Sequence, residues 1–374
     1  MRMIKPKVLN KIRLLKPSFK LLGILVSTSL ILAACGDEGS APFNIPAQDV
    51  PVVPGPASPA SKYLYVASGS CYAGGAALAT PANMISKLDL ETGALVSTVI
   101  DYNSFNPGDS PIDMVEYDAD RILVLVENTA GRRIDMVNKD GSGAAIYLAN
   151  ATALSGVLRA MVFLSDFSLL VSKSTAIEKF NSAKARVMMG AVPFVNAPLG
   201  ACAASNVLIS SLSVFPNGKI LYTHAGATPN NRFGLISATG YASAADCLAA
   251  LTGPATTALP TASLIHSSGR TLISYGSATA ASNSIQDYLV DSGANTISAA
   301  SVAWSDNSIV NGPSAMTEEP ESTDVFVANS ASTFNTIERF SYDPAARLLT
   351  RTGNITYRSP TIYSRCVTRM KVMQ

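Results

Sequence analysis

Residues Pro111–Gly141 read PIDMVEYDADRILVLVENTAGRRIDMVNKDG. Three short apolar segments lie in this stretch: Pro111–Tyr117, Arg121–Val126 after the acidic turn Asp118-Ala119-Asp120, and Arg133–Val137 running into Lys139-Asp140-Gly141. Segments rich in Val, Ile, Leu and Tyr between Asp, Asn and Gly read as strands. Branched and aromatic side chains suit a pleated surface, and the small polar residues take up turn conformations. A fourth segment, Ala145–Leu148, completes an antiparallel meander.

The unit recurs along the chain. Six second strands align as KYLYVASG from Lys62, RILVLVEN from Arg121, SLLVSKS from Ser168, KILYTHAG from Lys219, RTLISYGS from Arg270 and DVFVANSA from Asp324. Third strands follow from Ile85, Ile134, Ile177, Phe233, Ile285 and Ile337. First strands centre on Met114, Met161, Leu212, Ser263, Met316 and Met370, spaced by 47, 51, 51, 53 and 54 residues. Fourth strands are expected at Leu95–Ile100, Ala145–Leu148, Arg186–Met189, Thr296–Ala303 and Leu348–Thr356. In the fourth unit the Ala-rich stretch Ser243–Leu251 reads as a strand or a helical turn. A period near fifty with four strands per unit is the pattern of a β-propeller. The expected fold is therefore all-β, a six-bladed β-propeller of four-stranded antiparallel blades.

The ends decide the count. The repeats begin at a second strand, Tyr63–Ala67, preceded by a Pro-rich stretch, and finish on an unpartnered first-strand sequence, Cys366–Val372. Placing that last strand innermost in the first blade closes the ring and removes two exposed strand edges. This closure would bring Cys71 and Cys366 to one rim, where a bridge would contribute about 4–5 kcal/mol by loop entropy. Cys202 and Cys247 then pair by elimination. Metal binding is the alternative use of these cysteines, but no CxxC or CxxxH spacing supports it.

The unit PIDMVEYDADRILVLVENTAGRRIDMVNKDG resembles NHL and YVTN-type propeller repeats, with their Pro-led first strand, hydrophobic second strand and DG-like turn after the third. It is also similar to the six-bladed gluconolactonase and strictosidine-synthase-like group. The resemblance spans Lys62–Gln374 and is carried by periodicity and turns, so it implies a fold and does not by itself imply an activity.

Residues 1–34 read as a targeting segment. Arg2, Lys5, Lys7, Lys11, Arg13, Lys16 and Lys20 precede the apolar run Leu21–Leu32, whose twelve residues are too few to span a bilayer. Leu32-Ala33-Ala34-Cys35 resembles the bacterial lipobox, which implies cleavage before Cys35 and acylation (diacylglycerol, palmitate) of that cysteine. Several acyl chains anchor a protein stably where one does not. Gly36 stands where inner-membrane retention signals usually have Asp, so an outer-membrane lipoprotein is expected, facing the periplasm or the surface. Residues 35–61 hold Pro42, Pro46, Pro51, Pro54, Pro56 and Pro59 among small residues and read as an extended lipidated tether; residues 62–374 are the propeller. Removing the seven leader cations from the 28 basic residues leaves 21 against 26 acidic ones, a net charge near −5. This is no footprint for nucleic acid.

Chemistry is sparse. The two histidines, His224 and His266, lie on strands, and there is no GxSxG elbow. The resemblance to metal-dependent gluconolactonases would imply a divalent ion on the axis, held by carboxylate and Asn side chains from the inner rims. The inner-strand positions before each central apolar residue are Asp113, Ala160, Ser211, Ala262, Ala315 and Arg369, a poor oxygen cage for Ca²⁺. Asp109 and Asn206 could still converge from adjoining loops. Asp113 with Arg369 or Arg159 reads as a structural ion pair or as a site for an anionic ligand.

The face carrying the second-to-third and fourth-to-first loops is long-looped and poor in charge, with Tyr72, Tyr102, Phe105, Phe194, Tyr363 and the nearby Trp304. Aromatics beside Asn and Ser on one rim suit a protein, peptide or glycan; the alternative is that each ring packs beneath its own loop. Candidate ligand-binding residues are therefore Tyr102, Asp109, Asp113, Arg159, Trp304, Tyr363 and Arg369. The function expected is a lipid-anchored, non-catalytic scaffold without a cofactor, and the competing expectation is a metal-dependent gluconolactonase-like hydrolase.

Overall fold

A computed structural model describes residues 62–69, 82–128, 131–149, 154, 158–173, 176–187, 208–225, 232–237, 239–240, 247–252, 258–276, 283–298, 300–329, 336–355 and 366–374. The expected lipobox, the tether, Cys71, Cys202, Asn206 and Tyr363 lie outside them.

The described strands form six four-stranded antiparallel blades in a six-bladed β-propeller. Blade 1 is β26 (Val367–Met373), β1 (Tyr63–Ser68), β2 (Met84–Asp89) and β3 (Leu95–Asp101). The C-terminal strand closes this sheet as its innermost member, with Tyr63 opposite Met373 and Val66 opposite Met370. Blade 2 is β4 (Ser110–Glu116), β5 (Arg121–Asn128), β6 (Gly131–Asn138) and β7 (Ala144–Leu148). Blade 3 is β8 (Leu158–Phe163), β9 (Leu169–Lys173), β10 (Ala176–Phe180) and β11 (Arg186–Val187).

The fourth blade contains β12 (Leu208–Val214), β13 (Ile220–Ala225), β14 (Arg232–Ile236) and β15 (Cys247–Thr252). The Ala-rich stretch thus ends in a strand and not in a helical turn. Its Ala249 and Ala250 pair with Leu235 and Gly234. A side chain on Gly234 would meet the Ala249 carbonyl at 2.6 Å and the Tyr222 hydroxyl at 2.7 Å, so small residues let β15 approach.

In blade 5 the inner three strands are β16 (Leu259–Ile265), β17 (Thr271–Gly276) and β18 (Ser284–Tyr288). The single strand expected over Thr296–Ala303 is broken in two. β20 (Thr296–Ile297) pairs with β19 (Val290–Asp291) in a small hairpin, and β21 (Ser301–Trp304) completes the blade. Asp291 nucleates that hairpin by accepting the amides of Gly293 and Ala294, each at 2.8 Å. Blade 6 is β22 (Pro313–Glu318), β23 (Val325–Asn329), β24 (Ile337–Asp343) and β25 (Leu348–Ile355).

The core is six slabs, one between each pair of neighbouring blades. In β1, Leu64 and Val66 pack towards blade 6 while Tyr65 and Ala67 pack towards blade 2. Both faces of the strand are therefore buried, which is why the second strands read as continuous apolar runs. Val367, Met370 and Val372 of β26 complete the slab between blades 6 and 1.

Each of the six inner strands carries one extra residue at the same level, between its start and its central apolar residue. Such bulges bend a strand and raise its twist. Repeated six times, the bend shapes the channel wall near the face that holds the second-to-third loops.

Candidate functional site

Two polar groups are built where the sequence places candidate residues, one at the axis and one at the rim of blade 2.

At the axis, Asp113 sits on β4 and is buried. Its carboxylate accepts the amide of Met161 on β8 at 2.6 Å and that of Met114 at 2.8 Å, and Arg369 Nε of β26 lies 3.2 Å from Oδ1. One side chain thereby joins the inner strands of blades 1, 2 and 3. Burial pushes its carboxyl pKa up, against the Arg369 charge and the two amides. The pair anticipated for Asp113 is thus made with Arg369. Arg159, half-buried on β8, stands at the bulge between Leu158 and Met161.

Across the channel the ring is joined by hydroxyls. Ser211 Oγ donates to Ser263 Oγ at 2.9 Å, Ser213 Oγ lies 3.0 Å from it, and Thr223 lies 2.6 Å from Ser211. These serines link the inner strands of blades 4 and 5 as Asp113 links the first three. Sequence reasoning missed them because Ser is common throughout the chain. Their alignment at neighbouring positions of two first strands was the available signal.

At the rim, the turn of helix α1 (Tyr102–Phe105) is capped by Asp101, which accepts the Asn103 amide at 2.9 Å. Tyr102 is buried below it and meets the exposed Phe105 edge-on at 6.2 Å. Asp109 is buried and accepts from Asn106 Nδ2 at 2.8 Å, from Asn128 Nδ2 at 2.5 Å and from Arg133. Arg133 is shared with Asp135, donating at 2.7 and 2.9 Å. Burial pushes the Asp135 carboxyl up against Arg133, and it pushes the Tyr102 hydroxyl well up with help from the Asp135 charge. Tyr102 and Asp109 are therefore buried beneath the rim and not displayed on it.

Trp304, on the outermost strand of blade 5, packs edge-on against Phe340 at 4.9 Å and donates Nε1 to the Asp306 carbonyl at 3.1 Å. It bridges blades 5 and 6. Asp113 and Arg369 are brought together; Tyr102 and Asp109 belong to a separate network, and Trp304 lies in another interface. Among the described residues, no group of three or more His, Cys, Asp or Glu is arranged to hold a metal ion.

This ring of six blades has counterparts among solved structures. A protein of unknown function from Bacteroides caccae aligns with a TM-score of 0.51 at 12% identity, covering 84% of this chain and 99% of its own. A provisionally assigned 6-phosphogluconolactonase from Bacteroides uniformis aligns with a TM-score of 0.53 at 14% identity, covering 84% and 99%. At such identities the likeness is one of fold. No protein-family model matches the chain, and no curated protein matches it in sequence.

Proposed function

We propose that the chain is an exported lipoprotein whose six-bladed propeller is a non-catalytic binding scaffold, holding a protein, peptide or glycan at the cell envelope. One observation carries the reading. The only acid among the six equivalent inner-strand positions, Asp113, is committed to Arg369 and to two backbone amides. A carboxylate that joins three inner strands supports the ring; freeing it for a metal ion would leave Arg369 and the Met161 amide unpaired. The other five positions offer Ala160, Ser211, Ala262, Ala315 and Arg369.

The basic leader, short apolar run and Leu32–Cys35 support acylation at Cys35, and the proline-rich stretch to residue 61 supports a tether that holds the propeller off an outer-membrane leaflet. Cys71–Cys366 and Cys202–Cys247 are the cystines this reading assigns. The state of Cys247 and Cys366, both half-cystines, supports it, as does an exported compartment. The partner is expected on the long-looped face.

The anchor is tested by palmitate labelling of the full chain, expected to vanish in Cys35→Ser. The scaffold role is tested by crosslinked capture from detergent-solubilised envelope alongside assays on lactones and esters with added Ca²⁺. A partner that binds the purified chain, without turnover, is the expected outcome. Calcium-dependent turnover with no partner would replace this reading with a hydrolase.

A further inference from the structure

The innermost strand of blade 1 carries two cations in succession on one face. Arg369 pairs with Ala67 and Lys371 with Tyr65 across the sheet, so alternation puts both side chains on the same side of β26. Two residues along a strand span roughly 7 Å, so both can contact one small oxyanion or the two ends of a slightly longer one.

Their commitments differ from those of the other cations. Lys62, Lys139, Lys173 and Lys179 have carboxylate partners, Lys219 donates to Ser292 and Asn295, and Lys87 and Lys184 lie over tyrosine rings. Among the described lysines, Lys371 alone has a side chain with no hydrogen bond, ion pair or ring contact with a described residue. Arg369 meets Asp113 through Nε, leaving its two terminal nitrogens without a described partner.

The nearby acids are already engaged. Glu116 accepts from Lys139 Nζ at 2.5 Å. Glu318 accepts the Ser267 amide at 2.9 and 3.1 Å and lies 3.5 Å from His266 Nε2. Lys371 is exposed, yet the ring encloses it, and this enclosure pushes its ammonium pKa down, with Arg369 adding to the effect and Glu116 and Glu318 opposing it. The neighbouring inner strands present half-buried Val115, Val162 and Leu264 at the same level. An ammonium held in that setting, with no counter-ion of its own among the described residues, is stabilised by an anion that enters the channel.

We infer that the end of the axial channel nearest the C-terminus is a binding site for a small oxyanion, a carboxylate- or phosphate-bearing molecule held between the Arg369 guanidinium and the Lys371 ammonium. Asp113 fixes the guanidinium, whose outer edge offers two parallel donors of the kind that match both anions. Lys371 supplies the second charge. The site lies at the opposite end of the channel from the long-looped face and does not depend on the scaffold reading.

The test is calorimetric titration of the full chain with inorganic phosphate and, separately, with succinate, at low ionic strength. One-to-one binding of either probe is expected, and the probe that binds identifies the ligand chemistry. Lys371→Met should weaken binding at least tenfold with little change in melting temperature in the absence of ligand, while Lys371→Arg should retain it. Nuclear magnetic resonance of the Lys371 side chain, labelled in the intact protein, gives a second readout: its pKa should rise when the anion binds. Binding unchanged in Lys371→Met, a pKa that does not move, or no binding of either probe would overturn the assignment.

Discussion

Asp113 is where single-residue chemistry most affects the ring. Its raised carboxyl pKa means that, between the unfolded value of 3.8 and the higher folded one, the native state binds more protons than the unfolded chain. The wild type should therefore gain stability relative to Asp113→Asn as pH falls from 7 towards 3.8, with the difference levelling off below. Urea unfolding of both proteins across that range checks the sign; a difference that widened in favour of the variant at low pH would contradict it. Gly69 is constrained differently. A Cβ there would lie 1.9 Å from the Pro111 carbonyl oxygen, and its amide donates to Cys366 at 3.0 Å. Gly69→Ala must push blade 1 away from blade 2, costing about 2 kcal/mol or more in the same assay. The Asp113–Arg369 pair was legible because aligning the repeats put both residues at equivalent inner-strand positions. The Met161 amide was not, since a backbone donor has no signature in sequence. Lys371 was missed although it lies two residues after Arg369, the spacing that puts side chains on one face of a strand.

Strand pairing explains which elements were misjudged. Ala and Gly have no strong preference for a sheet, so the composition of Ser243–Leu251 left strand and helical turn open. The small side chains of Ala249 and Ala250, fitted over Gly234 beside Tyr222, make Cys247–Thr252 a strand. In blade 5 the turn chemistry of Asp291 interrupted what apolar pattern alone read as continuous.

Three of the six third strands share another device, a buried acid just after the leading Ile: Asp135, Glu178 and Glu338. Glu178 accepts two hydrogen bonds from Arg186 of the neighbouring outer strand, both at 2.7 Å, and Glu338 accepts one from Arg351 at 2.8 Å. Glu178 is buried, whereas about a third of the Arg186 side chain is exposed. The two partners should not be equivalent on removal. Arg186→Leu leaves the buried carboxylate with only Lys173 Nζ, at 3.7 Å, and should cost about 2–4 kcal/mol, while Glu178→Leu lets Arg186 turn to water and should cost about 1–2 kcal/mol. Denaturant midpoints of the two variants decide the order.

For the whole molecule, closure is the dominant physical fact. β26 pairs with β1 along its length and fills the slab between blades 6 and 1, so its loss would open two sheet edges and uncover that slab together. Deleting Arg365–Gln374 should therefore destabilise every blade. The expected result is a large fall in melting temperature with loss of a single sharp transition; a truncated chain that melted like the parent would contradict closure by this strand. Two sets of contacts join inner strands on opposite sides of the channel, the Asp113 tie and the serine group, and both depend on that closure to stay in register.

The blade number, the strand order and the strand that closes the ring were determined by sequence alone. Each depends on local alternation of apolar residues and on turn residues, repeated often enough to be aligned. Tertiary structure alone decided which polar groups meet. Whether Asp113 is a ligand or a tie, and whether Lys371 has a counter-ion, depends on residues from distant parts of the chain that the closed ring brings to its axis.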